Sequence, residues 1–499
     1  MNPRSCSGYG CLRSPGPWSA SHWHWRCDIS VYENHKRALA PDHNYEGTRV
    51  TVVGLGIEGI DLVRFLAPRG ASVTVSDARP AEQLRAALDA IADLDVTLSL
   101  GANREEDMVG ADTVFASQGV PPELPALRAA RRAGVPISSM TRLFLDVCPA
   151  PVAGITGSSG KTTTTALVGA MLDEAGADYV VGGNIGVGLL GLLDHIEPTT
   201  RVVLELSHTQ LESVERSPHI ACVTNVTPNH LDAYSWSSYV GLKRRIFEFQ
   251  QPDDIAVFHI DDEVAAGFAE EAPGLVRYTS VERTLPGDGA TVSGGTVVRV
   301  EDGSEHPVIA REDIPLRGDH NVANVVTALG VATQLGVDDG AAARAVRAFS
   351  GVPHRLEVVT QAGGLTWVND SIATTPERTL AGLRAFDEPA VLLLGGRDKH
   401  LPLGELAREA VTRCRAVIGF GEAGPAFLDA IRVARDSDRP EVREVDDIEA
   451  AVEAAAALAR EGDVVLCSPA GTSFDAYRNF EQRGAAFRAA VAAVTGGAS

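Results

Sequence analysis

Short apolar runs alternate with longer amphipathic segments along most of this chain, from residue 48 to its end. Runs such as VTVVG and RVVLELS have the length of a strand, and each is followed by a segment with the length and polarity of a helix. Continuous apolar runs are typical of strands that are buried on both faces of a parallel sheet. The pattern therefore predicts an α/β protein built from repeated strand–helix units.

The pattern separates into three blocks, and each block predicts one domain. We expect an N-terminal extension over 1–46, a Rossmann-like domain over 47–149, a central domain with a parallel sheet over 150–352, and a C-terminal Rossmann-like domain over 353–499. Residues 280–312 are rich in Gly, Thr and Val and predict hairpins within the central domain.

The N-terminal extension shows neither strand nor helix periodicity, which predicts a disordered segment or residues translated upstream of the true start. It contains Cys6, Cys11, His22, His24 and Cys27. Their spacing fits no common zinc finger, so a zinc site is the less favoured alternative. The extension also lacks the apolar core of a secretory signal.

Composition narrows the class of function. The formal net charge of −22 argues against a duplex nucleic-acid partner, which needs a basic face. No apolar run approaches the roughly 20 residues of a membrane span. The 7 cysteines are scattered and do not suggest a disulfide framework, which favours a reducing compartment. We therefore expect a cytoplasmic protein, and a monomer.

A first glycine-rich turn follows the first predicted strand. Gly54, Gly56 and Gly59 form G-x-G-x-x-G, and Asp77 ends the next predicted strand. Such glycines allow a tight turn and the close approach of a diphosphate to a helix N-terminus. Glycines that only pack the helix on the strand are the structural alternative. The motif alone permits a nicotinamide oxidoreductase or another nucleotide-binding function.

A second glycine-rich turn, GITGSSGKTTTT over 154–165, lies between a predicted strand and a predicted helix. Ile155 stands where the usual P-loop spacing requires glycine, so the loop is a shortened form. The first N–H groups of the helix would point at phosphates, with Lys161 as a mobile cation and Thr162 placed for Mg²⁺. A phosphate site is favoured over a plain surface turn, and the central domain is predicted to be a P-loop-type ATPase domain.

The short form T-G-x-x-G-K-T-T resembles the ATP loop of the Mur ligase family. Further stretches follow in that family's order: VVLELSHTQLES, TNVTPNHLDAY, SSYVGLKRRIF, GDHNVANVV, GVPHRLEVV, NDSIATTP, LLLGGRDK and SPAGTSFDAYRNFEQRG. The resemblance covers about residues 47–495. It implies an ATP-dependent ligase that adds D-glutamate to UDP-N-acetylmuramoyl-L-alanine through an acyl phosphate, in cytoplasmic peptidoglycan-precursor synthesis. The first domain would then hold UDP and not a nicotinamide.

The resemblance also implies a role for each matching residue. Lys161, Glu205, His230 and Lys243 would be catalytic, and Thr162, Glu205, His230 and Lys243 would hold two Mg²⁺ ions, with Lys243 carbamylated. The residues implied for ATP are Gly157, Ser158, Ser159, Gly160, Lys161, Thr162, Thr163, Asn321, Asn324, Arg355 and Asp370. Those implied for the UDP-sugar are Ile57, Glu58, Asp77, Arg79, Ser117, Gly119 and Asn184. Those implied for the incoming glutamate are Thr374, Lys399, Ser473, Phe474 and Phe480.

Two stretches depart from the family's pattern. The usual Ser-Ser-Phe-Gln reads Ser207-His208-Thr209-Gln210, and the usual Asp-Ser-Lys-Ala-Thr reads Asp370-Ser371-Ile372-Ala373-Thr374. The second change removes a lysine near the implied active site. The same reaction with L-glutamate or another acceptor amino acid is therefore an open alternative, and so is a nucleotide-binding protein that has lost catalysis.

Overall fold

The computed structural model describes residues 45–184, 188–229, 234–399 and 401–496. Contacts divide the chain between Arg347 and Ala348 into two compact units. Within the described ranges the first unit carries two sheets and the second unit carries one. These three sheets with their helices confirm the predicted three-domain α/β class, while the predicted domain boundaries stay predictions.

The N-terminal sheet has five parallel strands within the described residues. The elements are β1 (Arg49–Val53), α1 (Ile57–Leu66), β2 (Ser72–Asp77), α2 (Arg85–Asp89), β3 (Val96–Leu100), α3 (Glu105–Val109), β4 (Thr113–Ala116), α4 (Pro125–Arg132), β5 (Ile137–Ser138) and α5 (Met140–Val147). The strand order is β3-β2-β1-β4-β5. The turn from β1 to α1 therefore lies where the strand order reverses, which is where doubly wound sheets bind nucleotides.

Packing of this first domain begins slightly before residue 47. The Tyr45 N–H donates to the carbonyl of Arg69 at 3.0 Å, and the Tyr45 ring stands edge-on to Phe65 with 6.4 Å between ring centroids. Tyr45 is thus part of the folded domain.

The central sheet has nine strands in the part of the chain that is described. Its strands are β6 (Val152–Thr156), β7 (Tyr179–Gly183), β8 (Arg201–Glu205), β9 (Ile220–Val223), β10 (Ile255–His259), β11 (Leu275–Ser280), β12 (Gly289–Ser293), β13 (Thr296–Glu301) and β14 (Ser304–Ala310). Its helices are α6 (Lys161–Glu174), α7 (His208–Leu211), α8 (Trp236–Glu248), α9 (Glu263–Phe268), α10 (Asp319–Gln334) and α11 (Asp339–Ala348), with a 3₁₀ helix over Leu190–His195. The order is β14-β13-β12-β11-β10-β9-β6-β8-β7.

Strands β6 to β12 of the central sheet pair in parallel, as predicted. The hairpins predicted for 280–312 are also confirmed, because β12, β13 and β14 pair antiparallel and extend the sheet at one edge. Strand β6 lies between β8 and β9 and is buried along its whole length. The carboxyl ends of these three strands therefore meet at one edge of the sheet, and this edge positions the candidate site.

The second unit carries one six-stranded sheet within the described residues. Its elements are β15 (Glu357–Ala362), β16 (Leu365–Asn369), α12 (Pro376–Arg384), β17 (Ala390–Gly395), α13 (Gly404–Arg413), β18 (Cys414–Phe420), α14 (Gly424–Ala434), β19 (Glu441–Glu444), α15 (Ile448–Leu458), β20 (Val464–Ala470) and α16 (Phe480–Val494). The order is β15-β16-β20-β17-β18-β19, and every pair is parallel except β15–β16.

Several sequence-based expectations concern residues outside these ranges. The five candidate zinc ligands of the extension and the candidate metal ligand His230 all lie outside the described residues. In the ranges that are described, the cysteines at 148, 222, 414 and 467 are free thiols. A search of the same ranges finds no helix with both the length and the apolar character that a membrane crossing requires.

Candidate active site

The phosphate loop (residues 157–160) connects β6 to α6 and is held by the chain that follows β9. The Ser158 N–H donates to the carbonyl of Asn225 at 2.9 Å, and the Ser159 N–H donates to Asn225 Oδ1 at 2.9 Å. The first i→i−4 bond of α6 runs from Thr164 N to the Gly160 carbonyl. The N–H groups of Thr162 and Thr163 precede that bond, and N–H groups at this position bind phosphate in proteins.

Gly160 is required at the start of α6 for two physical reasons. Its φ is 79°, in the left-handed region that favours glycine, and a Cβ built there would overlap Asn324 Oδ1. The loop therefore depends on a close approach between Gly160 and the first turns of α10.

Lys161 folds back over the same loop. Its Nζ donates to the carbonyl of Gly157 at 2.9 Å and to that of Ser158 at 3.3 Å. An ammonium held by neutral carbonyls above a helix N-terminus is placed to exchange these acceptors for phosphate oxygens.

Two buried charged side chains meet at the carboxyl edge of the sheet. Lys243 is 1% exposed, and its Nζ donates to Thr156 Oγ1 at 3.0 Å. Glu205 is 2% exposed at the end of β8, and its Oε1 accepts from Asn184 Nδ2 at 3.0 Å. Burial, and then the neighbouring Lys161 cation, lower the pKa of Lys243 well below its ordinary value, and Glu205 opposes them in part.

The second carboxylate oxygen of Glu205 fits a bound divalent cation. Glu205 Oε2 is buried and has no hydrogen-bond partner among the described residues. A buried carboxylate oxygen without a donor is costly, and Mg²⁺ prefers carboxylate and hydroxyl oxygens. In the described ranges, this site included, no group of three or more His, Cys, Asp or Glu side chains is arranged to hold a metal, so the assignment rests on Glu205 Oε2.

Of the residues predicted for ATP, Asn324 lies against Gly160 of the phosphate loop, and Asn321 lies beside Asn324. Asn324 Oδ1 accepts from Thr164 Oγ1 at 3.5 Å, and Asn324 Nδ2 donates to Asn321 Oδ1 at 3.0 Å. Asn321 Nδ2 in turn donates to the carbonyl of Arg317 at 2.7 Å. The other two predicted ATP residues beyond the loop, Arg355 and Asp370, belong to the second unit.

Most of the residues predicted for the UDP-sugar line one pocket of about 380 Å³. Its lining includes Ile57, Glu58, Ser117, Gly119 and Asn184. The Asn184 side chain also donates to the Glu205 carboxylate, so one lining residue of the pocket contacts the catalytic edge of the central sheet.

Asp77 and Arg79 lie beside the pocket loop and outside its lining. Asp77 Oδ2 accepts from the Leu55 N–H at 2.8 Å and from Arg79 Nη2 at 2.7 Å. The Asp77 carboxylate thus holds the backbone N–H of Leu55 in the glycine-rich turn, and Arg79 Nη2 donates to the Leu55 carbonyl at 3.4 Å.

In the second unit, the residues predicted for glutamate lie on the loops after β16, β17 and β20 and at the start of α16. Arg397 and Thr472 exchange backbone hydrogen bonds of 2.8 and 2.9 Å, which holds the loop after β17 against the loop after β20. Lys399 Nζ donates to Thr374 Oγ1 at 3.5 Å. Ser473 is buried, whereas the Phe474 ring is 62% exposed.

Asp370 is held within the second unit by its own loops. It is buried, and it accepts from the Leu356 N–H at 3.2 Å and from Ser468 Oγ at 2.7 Å. Burial raises the pKa of Asp370 to about 7. His354 and Leu356 adopt φ values of 65° and 45°, so this loop holds non-glycine residues in the left-handed region, as strained functional loops often do.

Sequence reasoning missed several residues that organise the site. Arg483 is fully buried and donates to Ser371 Oγ, to the Ser371 carbonyl and to the Gly471 carbonyl at 2.9 to 3.0 Å. Arg378, one turn after Thr374, donates from Nη1 to the Ile372 carbonyl at 3.4 Å. The signal available for Arg378 was a cation four residues after Thr374, an implied substrate residue.

Comparison with known proteins finds Mur ligase domains along most of the chain. The Mur ligase MurD-like N-terminal domain matches residues 48–139, the Mur ligase middle domain matches 155–332, and the Mur ligase glutamate ligase domain matches 354–471. The UDP-N-acetylmuramoylalanine–D-glutamate ligase of Symbiobacterium thermophilum is 42% identical over 450 residues, which are 90% of this chain and 98% of that protein. The protein of the same name from Roseiflexus sp. is 41% identical over 463 residues, 90% and 99% of the two chains.

Solved structures agree with the fold. The UDP-N-acetylmuramate–alanine ligase of Thermotoga maritima superposes with a TM-score of 0.54 at 20% identity, over 88% of this chain and 98% of that one. MurF from Acinetobacter baumannii superposes with a TM-score of 0.55 at 15% identity, over 84% and 91%.

We predict that Gly160→Ala lowers the affinity for an ATP analogue at least about ten-fold, because the methyl group strains the loop backbone and displaces Asn324. Titration of a fluorescent ATP analogue measures this. Gly176→Ala is the matched control, since Gly176 follows the same helix with φ of 67° and open space around its Cβ position. Equal affinities in the two variants would contradict the steric role of Gly160.

Proposed function

This chain belongs to the Mur ligase family, and we propose that it is the ATP-dependent, ADP-forming ligase that joins D-glutamate to UDP-N-acetylmuramoyl-L-alanine. The observation that carries the proposal is Asn184, which lines the sugar-nucleotide pocket and also donates to Glu205 beside the phosphate loop. The reaction belongs to peptidoglycan-precursor synthesis, and we place it in the cytoplasm. We also propose that the enzyme is a monomer.

The pocket of the first domain is proposed to take the UDP moiety of the substrate. A diphosphate fits the turn after β1, where the glycine fingerprint lies at a helix N-terminus. A nicotinamide oxidoreductase would leave the phosphate loop and the Lys243–Glu205 pair without a function. Binding of UDP therefore accounts for more of the molecule than binding of a dinucleotide does.

The chemical problem at this site is to bring two anions together. The alanyl carboxylate attacks the γ-phosphorus of ATP, the bond to the β,γ-bridging oxygen breaks, and ADP leaves. The amine of glutamate then attacks the acyl carbonyl, loses a proton, and phosphate leaves to give the amide. Lys161, whose Nζ lies over the loop, would neutralise charge on the phosphates as the carboxylate approaches.

Mg²⁺ would supply further positive charge that stabilises the transferring phosphoryl group. Thr162 and Glu205 would hold one ion, and the unpartnered Glu205 Oε2 supports this assignment. His230 and a carbamylated Lys243 would hold a second. The ring of Tyr239, 5.5 Å from Lys243 Nζ, packs beside the amine and limits its position.

The setting of Lys243 favours carbamylation. Because burial and Lys161 lower its pKa, more of the amine is neutral and nucleophilic near neutral pH. Attack of this neutral amine on CO₂ forms an N–C bond, breaks one C–O π bond and releases the proton of the amine, which leaves a carbamate anion in place of the neutral amine. The product would balance Lys161 and supply oxygens to a metal.

The acceptor amino acid is proposed to bind in the second unit, at Thr374, Lys399, Ser473, Phe474 and Phe480. We add Arg378 to this set. No carboxylate of the described residues lies within ion-pair distance of Lys399 or Arg378, so two cations face the site without an anion. The pKa of Lys399 is lowered by burial and by the nearby Arg378 guanidinium, as expected for two neighbouring cations.

L-glutamate, or another acceptor amino acid, is the second candidate, and the isoleucine at 372 is the observation that favours it. Relatives named as D-glutamate ligases at up to 42% identity favour D-glutamate. An Arg378 guanidinium beside the Ile372 carbonyl would replace the charge that the usual lysine provides.

We predict phosphate release from ATP with Mg²⁺, UDP-N-acetylmuramoyl-L-alanine and D-glutamate together, and only background release when any one of them is omitted. A coupled phosphate assay measures this, with L-glutamate in a parallel reaction. Turnover with L-glutamate alone would assign the chain to the second candidate, and no turnover with either would contradict the proposed function.

For the acceptor site, we predict that Arg378→Ala raises the KM for D-glutamate about five- to ten-fold, the effect of losing one charge-assisted contact. The KM for ATP should stay within about two-fold of wild type. Arg384→Ala on the same helix is the control, because Arg384 pairs with Glu405 and Glu409 instead. If the two variants raise the KM for D-glutamate equally, Arg378 does not contact the acceptor.

For the buried lysine, we predict a carbamate carbonyl signal in the ¹³C NMR spectrum of protein equilibrated with ¹³C-bicarbonate. Lys243→Gln should lack the signal and lose at least about a hundred-fold in kcat, because the site keeps Lys161 and loses the compensating anion. Arg244→Gln, the exposed neighbour on α8, should keep both signal and activity. A signal that survives in Lys243→Gln would place the carbamate elsewhere.

A further inference from the structure

Gln118, in the wall of the pocket proposed for the UDP-sugar, forms hydrogen bonds both to another pocket residue and to the central domain. The Gln118 N–H donates to Glu58 Oε2 at 2.8 Å, and Gln118 Nε2 donates to Glu58 Oε1 at 2.5 Å. One glutamine therefore occupies both carboxylate oxygens of Glu58, with short charge-assisted bonds. Both residues line the pocket, so a ligand in the pocket contacts the pair directly.

The opposite end of the Gln118 side chain contacts the central domain. Gln118 Oε1 accepts from Thr209 Oγ1 at 3.0 Å and from Ser207 Oγ at 3.2 Å. Ser207 is the N-cap of α7 and forms a capping box with Gln210, whose N–H donates to Ser207 Oγ at 3.1 Å. Gln118 thus fixes the start of α7 to the wall of the pocket.

The same segment continues back to the catalytic edge. Ser207 lies two residues after Glu205, and the intervening Leu206 N–H donates to the Ile155 carbonyl at 2.8 Å. Thr156 Oγ1, which accepts from Lys243, donates to the Leu206 carbonyl at 2.6 Å. Hydrogen bonds on Gln118 and Leu206, joined by the peptide bond between Leu206 and Ser207, therefore connect the pocket to the strand that enters the phosphate loop.

We propose that Gln118 is a positioning residue that couples occupancy of the UDP-sugar pocket to binding of Mg²⁺–ATP, with the Thr209 hydroxyl as its contact in the central domain. The inference rests on the proposed function for the identity of the two ligands. A ligand that engages either end of this connection favours one position of the segment Glu205–Thr209, and the second ligand then binds to a segment that already holds this position. Thr209 stands where the family's usual residue is Phe, which has no hydroxyl to donate.

Isothermal titration calorimetry on the full chain tests the coupling without turnover. The Kd of UDP-N-acetylmuramoyl-L-alanine is measured alone and with a saturating non-hydrolysable ATP analogue and Mg²⁺. We expect the analogue to tighten binding to the wild type about ten-fold or more, within the usual range of coupling free energies. Thr209→Val should reduce this ratio about three- to ten-fold, the effect of one hydrogen bond.

Two further variants make the result specific. Thr209→Ser keeps the hydroxyl and should keep the wild-type ratio. Gln118→Met keeps the length of the side chain and removes its amide, and it should lose at least as much coupling as Thr209→Val. Each variant should bind the ATP analogue alone within about two-fold of wild type, since the phosphate loop itself is unchanged.

Several outcomes would overturn the inference. These are independent binding of the two ligands to the wild type, a coupling ratio unchanged in both Thr209→Val and Gln118→Met, or an equal loss in Thr209→Ser and Thr209→Val. Failure of the proposed function would give a different result, because the wild type would then bind no UDP-sugar and release no phosphate. That result would also remove the basis of the inference.

Discussion

The burial of the Lys243 amine is the constraint around which the catalytic edge is built. An ammonium taken out of water is stable only when anions or hydrogen-bond acceptors replace its hydration. Among the described residues, the amine has one hydroxyl acceptor, Thr156 Oγ1, while a second cation, Lys161, lies near enough to lower its pKa further, and Glu205 opposes this effect in part. The interior therefore favours a neutral amine, and the site gains stability from any chemistry or ligand that adds negative charge.

The order of the central sheet makes this arrangement possible. Strand β6 lies between β8 and β9, so the phosphate loop, Glu205 and Asn225 meet although about 20 to 70 residues separate them along the chain. Parallel strands end at the same edge, and each returns through a helix on a face of the sheet. The phosphate loop is thereby held by the chain that follows a neighbouring strand, because Asn225 accepts from Ser158 N and Ser159 N.

Much of the fold and part of the site follow from local sequence pattern. The buried strands could be predicted from short apolar runs, and the phosphate loop from glycines between a strand and a helix. The contacts of Gln118 could not, since they join residues 60 and 91 positions apart and depend on how two domains pack. The need for glycine at 160 likewise depends on Asn324, which is distant in sequence. Asp370 could be matched to a family position, but its burial and its bond from Ser468 became visible only in the folded unit.

The two departures from the family's pattern are best understood through the groups that surround them. At 207–210 the usual phenylalanine is replaced by Thr209, whose hydroxyl finds Gln118, while the His208 ring stands edge-on to Tyr234 at 5.4 Å. His208 thus provides aromatic packing in this segment, and Thr209 adds a polar contact to Gln118. At 372 the usual lysine is replaced by isoleucine, so the side-chain cation is lost. The Arg378 guanidinium donates to the backbone carbonyl of Ile372. What a substrate carboxylate requires is positive charge within reach, and an arginine on the helix that begins four residues later, at Pro376, can supply it as well as the loop can.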